Sequence, residues 1–535
     1  MALDRVRTSA AGVGLPWGRC ALIVIVALCA ACSAIRKDFV KERTQALPPT
    51  YDTPSARYVR NELQQHKDLS GFRLLTRSTN ALMSRVALID HAAHSIDLQY
   101  YIFHGDATGK LVAQHLLAAA DRGVRVRVLL DDLHEGPRDA VLHALDGHRN
   151  IEIRVFNPFY ERASSKWSLG KQFLGDFARL NRRMHNKAYI VDGAAAVVGG
   201  RNIGDEYFDA SDAVNFRDLD ILLIGPVVAE VSHVFDAYWN SGPSMPIEAF
   251  AHPDVPPVDI DTVRKALVEN ASRVRETDYG TGVLSEVAEA RAKGIRPHEW
   301  AFGPAEFLAD DPDKVTPDVD TKALHLAPHV REWLDGAQKR ILLISPYFVP
   351  GDKGVAYLTE KRAQGIEIAL LTNSLASTDA DAVYAAYGPY RPKLLAAGVD
   401  LYELKPNAAR SRKQQHLVAA TESTSSLHSK LIVVDDDKAF IGSMNLDPRS
   451  HNLNTEDGVL VTSSGIAQTL VQTFALATDP SVTYRVKLKS GSTSAVYWET
   501  KENGETVLYD SAPLTSGWRR FKAGFTRVLP IEGLL

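Results

Sequence analysis

The sequence predicts an α/β protein of two pseudo-twofold-related halves packed face to face, with a site at their seam. Three observations predict it. A short pattern occurs twice: His185-Asn-Lys187-Ala-Tyr-Ile-Val-Asp192, followed by Gly199-Gly-Arg-Asn202, and His428-Ser-Lys430-Leu-Ile-Val-Val-Asp435, followed by Gly442-Ser443-Met-Asn445. Each is H-x-K-x-x-x-x-D in an apolar run, with a Gly-x-x-Asn turn at the same offset. A strand-like run, a helix-like run, a glycine and a second strand-like run also occur twice, at 95–103, 108–122, Gly123 and 124–130, and again at 340–348, 355–364, Gly365 and 366–371. That order is the βαβ signature of a parallel pair with a helical crossover. Nearly the same number of residues separates the two histidines and the two helix-closing glycines, as expected of one unit present twice.

From the N-terminus, Arg5, Arg7 and Arg19 precede an apolar run at 21–31 that ends at Cys32. A bilayer core needs about 20 apolar residues, so this run has the length of a signal-peptide core. Ala30-Ala31 before Cys32, with Leu28 upstream, resembles a bacterial lipoprotein signal. Residues 1–31 are then the signal and Cys32 the lipidated residue, the alternative being an uncleaved anchor. Ser33, with no Asp at that place, leaves an outer-membrane destination open. All three cysteines (Cys20, Cys29, Cys32) lie here, so the remainder has no disulfide framework, thiolate metal site or catalytic cysteine.

An extended segment is expected at 32–70, a first domain at 71–258, a helical linker at 259–298 and a second domain at 299–480. Within the domains, 145–155 parallels 395–404, and each leads towards its motif. The tail, 481–535, reads as a β-hairpin with a type I′ turn at Asn503-Gly504 and a basic-aromatic helix around 518–528. The formal net charge of -4 lacks the basic excess of nucleic-acid binders, so no nucleic-acid partner is expected.

His and Lys at i and i+2 share one strand face. Two such faces brought together place two imidazoles and two ammoniums around one phosphate. Breaking a phosphodiester with retention needs a nucleophile, a proton donor for the leaving alkoxide and cations for the non-bridging oxygens. A neutral imidazole supplies the first; a second, starting protonated, supplies the next and then deprotonates the incoming alcohol. Lys187 and Lys430 supply the charge, and Asn202, Asn445 and Ser443 offer donors from the adjacent turns. This scheme needs no metal and no cofactor. Asp131-Asp132 reads as a strand-end turn lining the cleft, and His94 and His115 as ordinary helix or turn residues.

These motifs resemble the phospholipase D superfamily, whose hallmark is a pair of H-x-K-x-x-x-x-D sequences, and most resemble its bacterial cardiolipin synthase branch. The resemblance covers about residues 70–480 and is most specific at 184–208 and 442–456. It implies two phospholipase D-like α/β/α domains with the active site at their seam. It also implies His185 as nucleophile, through a phosphatidyl-histidine, and His428 as acid and base, although pseudo-symmetry leaves the swapped assignment open. Each half contributes an orienting carboxylate: Glu456 in the second, Asp218 in the first. Asp192 and Asp435 complete the motifs, tying motif backbone together.

The implied activity is a phosphatidyltransferase making cardiolipin from phosphatidylglycerol and a second phospholipid such as phosphatidylethanolamine, at the bacterial envelope membrane. Three alternatives remain at this level: a phospholipid hydrolase giving phosphatidic acid, a nuclease, and a non-catalytic envelope lipoprotein. Two segments could meet lipid or pack on protein. One is 166–183, with Phe173, Phe177 and Leu180 on one helical face beside Lys171, Arg179, Arg182 and Arg183. The other surrounds Trp518-Arg-Arg-Phe-Lys522, where packing is the favoured reading.

Overall fold

A computed structural model describes residues 41–132, 139–159, 166–250, 258–292, 300–317, 319–407, 424–526 and 532–535. The expected signal at 1–31 and Cys32 lie outside the described residues.

The chain forms β1 (Ser70–Leu75), β2 (Ser95–Tyr100), β3 (Arg125–Asp131), β4 (Ile151–Phe156), β5 (Ala188–Val191), β6 (Ala195–Gly199), β7 (Val214–Arg217), β8 (Asp220–Ile224), β9 (Ser244–Pro246) and β10 (Ala301–Gly303). All but β7 join one sheet, in the order β10-β1-β8-β6-β5-β2-β3-β4-β9. The second half forms β11 (Ala305–Ala309), β12 (Arg340–Ile344), β13 (Glu367–Asn373), β14 (Asp400–Leu404), β15 (Thr424–Leu427), β16 (Leu431–Val434), β17 (Lys438–Gly442), β18 (Asp457–Thr462), β19 (Thr483–Leu488), β20 (Val496–Glu502) and β21 (Glu505–Tyr509). All but β15 join a second sheet, in the order β11-β18-β17-β16-β12-β13-β14-β19-β20-β21.

The parallel triplets β2-β3-β4 and β12-β13-β14 are equivalent, and each motif strand, β5 or β16, pairs antiparallel beside its triplet. These strands read as continuous apolar runs because they are covered on both faces. The crossover helix Ala107–Asp121 starts on Asp106, whose carboxylate accepts from the Gly109 amide at 2.9 Å. It closes at Gly123, where φ is +96°; Gly365 does the same at +89° after the helix Gly351–Ala363. A side chain at either position would meet the left-handed penalty that glycine escapes.

Helices Val227–Asn240 and Ser464–Ala477 lie between the sheets. Phe235, Trp239, Leu470 and Phe474 join Phe72, Ile190, Ile221, Ile344, Val433 and Val459 in a single core drawn from both halves. Each half has a further core on its outer face. The shared layer holds the two sheets as one body, so groups at the seam are fixed by packing rather than by sequence neighbours.

Two segments differ from their sequence reading. The expected linker contains the helix Ile260–Glu276, which packs on the first half: Val263 and Leu267 enter its outer core, and the Asn270 amide donates to the Ala107 carbonyl at 3.0 Å. The tail is not separate either. β19 adds to β14, and β20-β21 extend the second sheet around Asn503 and Gly504, whose φ values of +51° and +88° fit the expected type I′ turn.

Candidate active site

Both motif histidines are stitched to the opposite half through backbone. The His185 amide donates to the Thr455 carbonyl at 2.9 Å, and Thr455 returns a bond to the Arg183 carbonyl at 2.9 Å. The His428 amide donates to the Arg217 carbonyl at 2.8 Å, continuing a parallel ribbon between β7 and β15.

This stitching decides which carboxylate meets which ring. Nδ1 of His185 donates to Glu456 Oε2 at 2.7 Å, and Nδ1 of His428 to Asp218 Oδ2 at 2.6 Å. The sequence reading took one carboxylate from each half; the structure crosses the pairs, so each serves the histidine of the other half. A bridge between Met184 and Thr455 carries Glu456 to the first motif, and the β7-β15 ribbon carries Asp218 to the second. With Nδ1 engaged, each ring keeps Nε2 for chemistry.

Lys187 and Lys430 are 2 % exposed, and each donates to the carbonyl of its own motif histidine. The Lys430 ammonium also lies 3.2 Å from His428 Nε2. Burial lowers the Lys430 pKa to about 8 although Asp218 and Glu456 favour its charge. Lys187 is lowered as well, by burial and then by Lys430. Burial, followed by the charges of Lys187 and Lys430, holds the His185 imidazole well below its ordinary range. Burial and Lys430 lower His428 too, against the pull of Asp218.

These four groups by themselves thus work against the protonated imidazole from which the scheme starts. Two buried ammoniums disfavour further positive charge, and an anionic phosphodiester would offset it. The two carboxylates also differ. Burial works to raise Asp218, but His428, its hydrogen bond and Lys430 outweigh it and hold Asp218 well below the usual carboxylate range. Burial leaves Glu456 raised.

The motif aspartates, grouped with the H-x-K residues by their place in the pattern, bind backbone amides rather than the rings. Asp192 accepts from the amides of Ala93, His94 and Ser95 at 3.0, 2.8 and 2.9 Å. Asp435 does the same for Gln338, Lys339 and Arg340, at 3.1, 2.7 and 3.0 Å. Each fastens the start of the neighbouring strand, β2 or β12. Ser443, read as a phosphate donor, instead gives its hydroxyl proton to Glu456, joined there by Ser450 at 2.7 Å. Asn202 holds the Ile102 amide at 3.1 Å and donates to the Tyr207 hydroxyl at 2.8 Å, so its amide serves the wall of the site. Asn445 is buried, and its Oδ1 has no partner among the described residues.

Asp131 pairs with Arg183 at 2.7 Å and accepts from the Met184 amide at 2.9 Å, while Asp132 accepts from the Phe159 amide at 2.7 Å. They fasten the approach to the first motif. Among the described residues no group of three or more His, Cys, Asp or Glu could hold a metal ion. His115 pairs with Asp90 and His94 with Asp52, away from the seam.

Four wall residues escaped the sequence reading. The Tyr101 ring meets His185 edge-on at 5.0 Å, Tyr207 meets His428 at 5.3 Å, and Phe216 packs on His428 at 4.8 Å. Asp457 accepts from the Lys187 amide at 3.0 Å. Its place after Glu456 was the available signal; the aromatics had none. The segment before the first motif, read as meeting either lipid or protein, has both exposed and packed positions. It breaks at Asp176 into Lys166–Gly175 and Phe177–Leu180, Leu180 is buried, and Arg179, Arg182 and Arg183 bond within the protein. Lys171, Leu174 and Phe177 stay exposed, Leu174 at 78 %, and burial sets in at Leu180.

The family described as "Cardiolipin synthase, PLD-like domain" matches this chain twice, at residues 86–239 and 330–477, together more than half of its length. Cardiolipin synthase C of Escherichia coli (strain K12) is 38% identical over 472 residues, spanning 88% of this chain and 97% of that protein. An uncharacterized protein of Helicobacter pylori is 33% identical over 493 residues, spanning 90% of this chain and 92% of that one. Phosphatidylserine synthase from Haemophilus influenzae shares the fold, with a TM-score of 0.50 and 13% identity over 80% of this chain and 91% of that structure.

Proposed function

Since the chain belongs to the cardiolipin synthase family of phospholipase D-like proteins, we propose that it is a phosphatidyltransferase that makes cardiolipin, with the crossed histidine pairs as its catalytic machinery. The observation that carries this reading is the pair of hydrogen bonds His185–Glu456 and His428–Asp218, which engage Nδ1 of each ring and leave Nε2, while the charges of Lys187, Lys430 and His428 all act on His185.

In the first step Nε2 of His185 attacks the phosphorus of phosphatidylglycerol. The bond from phosphorus to the headgroup oxygen breaks, and its electron pair leaves with the oxygen. His428 Nε2–H gives that oxygen its proton, releasing glycerol and leaving a phosphatidyl group on His185. In the second step a headgroup hydroxyl of another phosphatidylglycerol attacks phosphorus. His428 takes its proton, and the P–N bond breaks with the pair returning to His185. With phosphatidylethanolamine as donor, ethanolamine leaves instead. Lys187 and Lys430 stabilise the non-bridging oxygens throughout.

Asymmetry between the carboxylates supports this division of roles. An ionised Asp218 stabilises an imidazolium at His428, whereas His185, held furthest from protonation, keeps its lone pair. The reading includes an envelope location with Cys32 as the lipidated residue, supported by the apolar run at 21–31 and the small pair before Cys32.

The test is to incubate the purified protein in EDTA with phosphatidylglycerol, with and without phosphatidylethanolamine, and to identify products by mass spectrometry. Cardiolipin is expected, and it should disappear in His185→Ala. Phosphatidic acid alone would replace the synthase with a hydrolase, because water then outcompetes the second lipid.

A further inference from the structure

The helix Gly517–Thr526 carries three large aromatic side chains that none of the described residues covers. Trp518, Phe521 and Phe525 are 66, 61 and 60 % exposed. At helical spacing they fall within about 60° of one another on a single face, and Trp518 stacks on Phe521 with ring centroids 5.5 Å apart. Leu514, just before the helix, is exposed as well. The opposite face is seated: Ala523 is buried against Leu375, Tyr384, Ala385 and Ala512. Packing, the favoured sequence reading of this segment, thus holds for the small residue and fails for the large ones.

Exposed aromatics grouped on one helix face mark an interaction surface. Lys522 borders this stripe, and Arg520, further round the helix and bonded to Thr515, is exposed too, so aromatic rings that enter a lipid interface carry basic groups to the anionic headgroups.

This helix is also joined to the site. Arg519, on its inner side, donates to Asp381 at 2.6 Å and to the Thr378 carbonyl at 2.9 Å. The loop so held begins at Asn373, which exchanges two hydrogen bonds with Leu427, next to His428, at 2.8 and 2.9 Å. In the same loop Asp379 accepts from the Tyr347 hydroxyl at 2.6 Å, and its charge favours the Lys430 ammonium.

We propose that Trp518, Phe521 and Phe525, with Lys522 beside them and Arg520 on the same helix, form an interfacial anchor that docks the second half on an anionic phospholipid surface. The anchor fixes the loop 373–381 at that surface, so substrate enters from the plane of the bilayer. The inference deepens the phospholipid reading but does not need turnover.

The test uses the full chain carrying His185→Ala, mixed with phosphatidylglycerol–phosphatidylcholine vesicles whose acyl chains are brominated close to the headgroup. Subtracting the emission of a Trp518→Phe partner isolates Trp518, whose fluorescence is expected to fall at least about twofold, as for an indole at the headgroup boundary. Replacing Trp518, Phe521 and Phe525 together by serine should weaken vesicle partitioning on the order of 100-fold. Circular dichroism and the unfolding midpoint check that the variant is folded. An unquenched Trp518 overturns the inference, even in a protein that makes cardiolipin. So does a concentration-dependent dimer that buries Trp518 without vesicles, since a second copy would then be the occupant. Quenching in a protein that makes no cardiolipin would leave the anchor standing and remove the transferase reading instead.

Discussion

His185 donates its Nδ1 proton to Glu456 across the seam, 2.7 Å away, although 271 residues separate the two in sequence. The equivalent pair, His428 and Asp218, crosses in the other direction at 2.6 Å. Neither half therefore holds a complete set of oriented groups. The two repeated units depend on each other at the level of hydrogen bonds.

Replacing Glu456 with Gln keeps the shape but removes its charge and turns one of its two acceptor oxygens, both in use, into a donor, so the His185 tautomer is no longer fixed. The expected result is a fall in kcat of about 100- to 10,000-fold with little change in KM. Steady-state kinetics on phosphatidylglycerol checks it. A fall confined to KM would show that Glu456 acts in binding instead.

Leaving-group chemistry separates the two histidines. A phosphatidyl ester of p-nitrophenol departs without a proton, so His428→Ala and Asp218→Asn should regain release of p-nitrophenol while His185→Ala should not. Rescue of His185→Ala in place of His428→Ala would reverse the assignment.

Activity should be bell-shaped in pH. His185 must be neutral, and its pKa is held well below 6.5 by burial and then by the two lysines, so the acid limb lies in the acid range. His428 must start protonated and both lysines must stay charged; burial lowers all three, Lys187 to about 7 and Lys430 to about 8, so activity falls as pH rises through the neutral range and is lost by about 8. The profile of kcat/KM measures both limbs, as macroscopic values of the coupled set. An alkaline limb at the ordinary lysine value near 10.5 would show that burial does not act on Lys430.

The same burial has a cost in stability. Lys430→Met should abolish activity yet raise the urea midpoint at pH 7, because a buried, repelled ammonium is removed. The sign with pH follows from a folded pKa below the unfolded 10.5. Below about 8 wild type carries the whole penalty of the charged group, and it sheds that penalty as pH rises from about 8 towards 10.5. The gap between the two proteins should close over that range. A midpoint that drops in Lys430→Met would show a net stabilising ion cluster instead.

Asp192 and Asp435 make equivalent sets of three amide bonds, but Asp192 is buried and Asp435 half-buried. Asp192→Ala should cost about 2–4 kcal/mol and Asp435→Ala about 1–2, measured by equilibrium unfolding. In both, the catalytic pH profile should keep its shape, because neither carboxylate touches the histidine rings.

What the sequence by itself determined was local and periodic. The paired H-x-K spacing places His and Lys on one strand face, the glycines at 123 and 365 close two crossover helices, and Asn503-Gly504 turns the tail hairpin. All are decided by backbone geometry within a few residues. The α/β fold and the family were legible from that repetition. Only the tertiary structure decided the rest: that Glu456 serves His185 and Asp218 serves His428, that Ser443 braces a carboxylate, and that Tyr101, Tyr207 and Phe216 wall the rings. It also decided that the tail helix turns its aromatics outward. These contacts join residues hundreds of positions apart. They depend on how the shared apolar layer seats one sheet against the other, which no local spacing encodes.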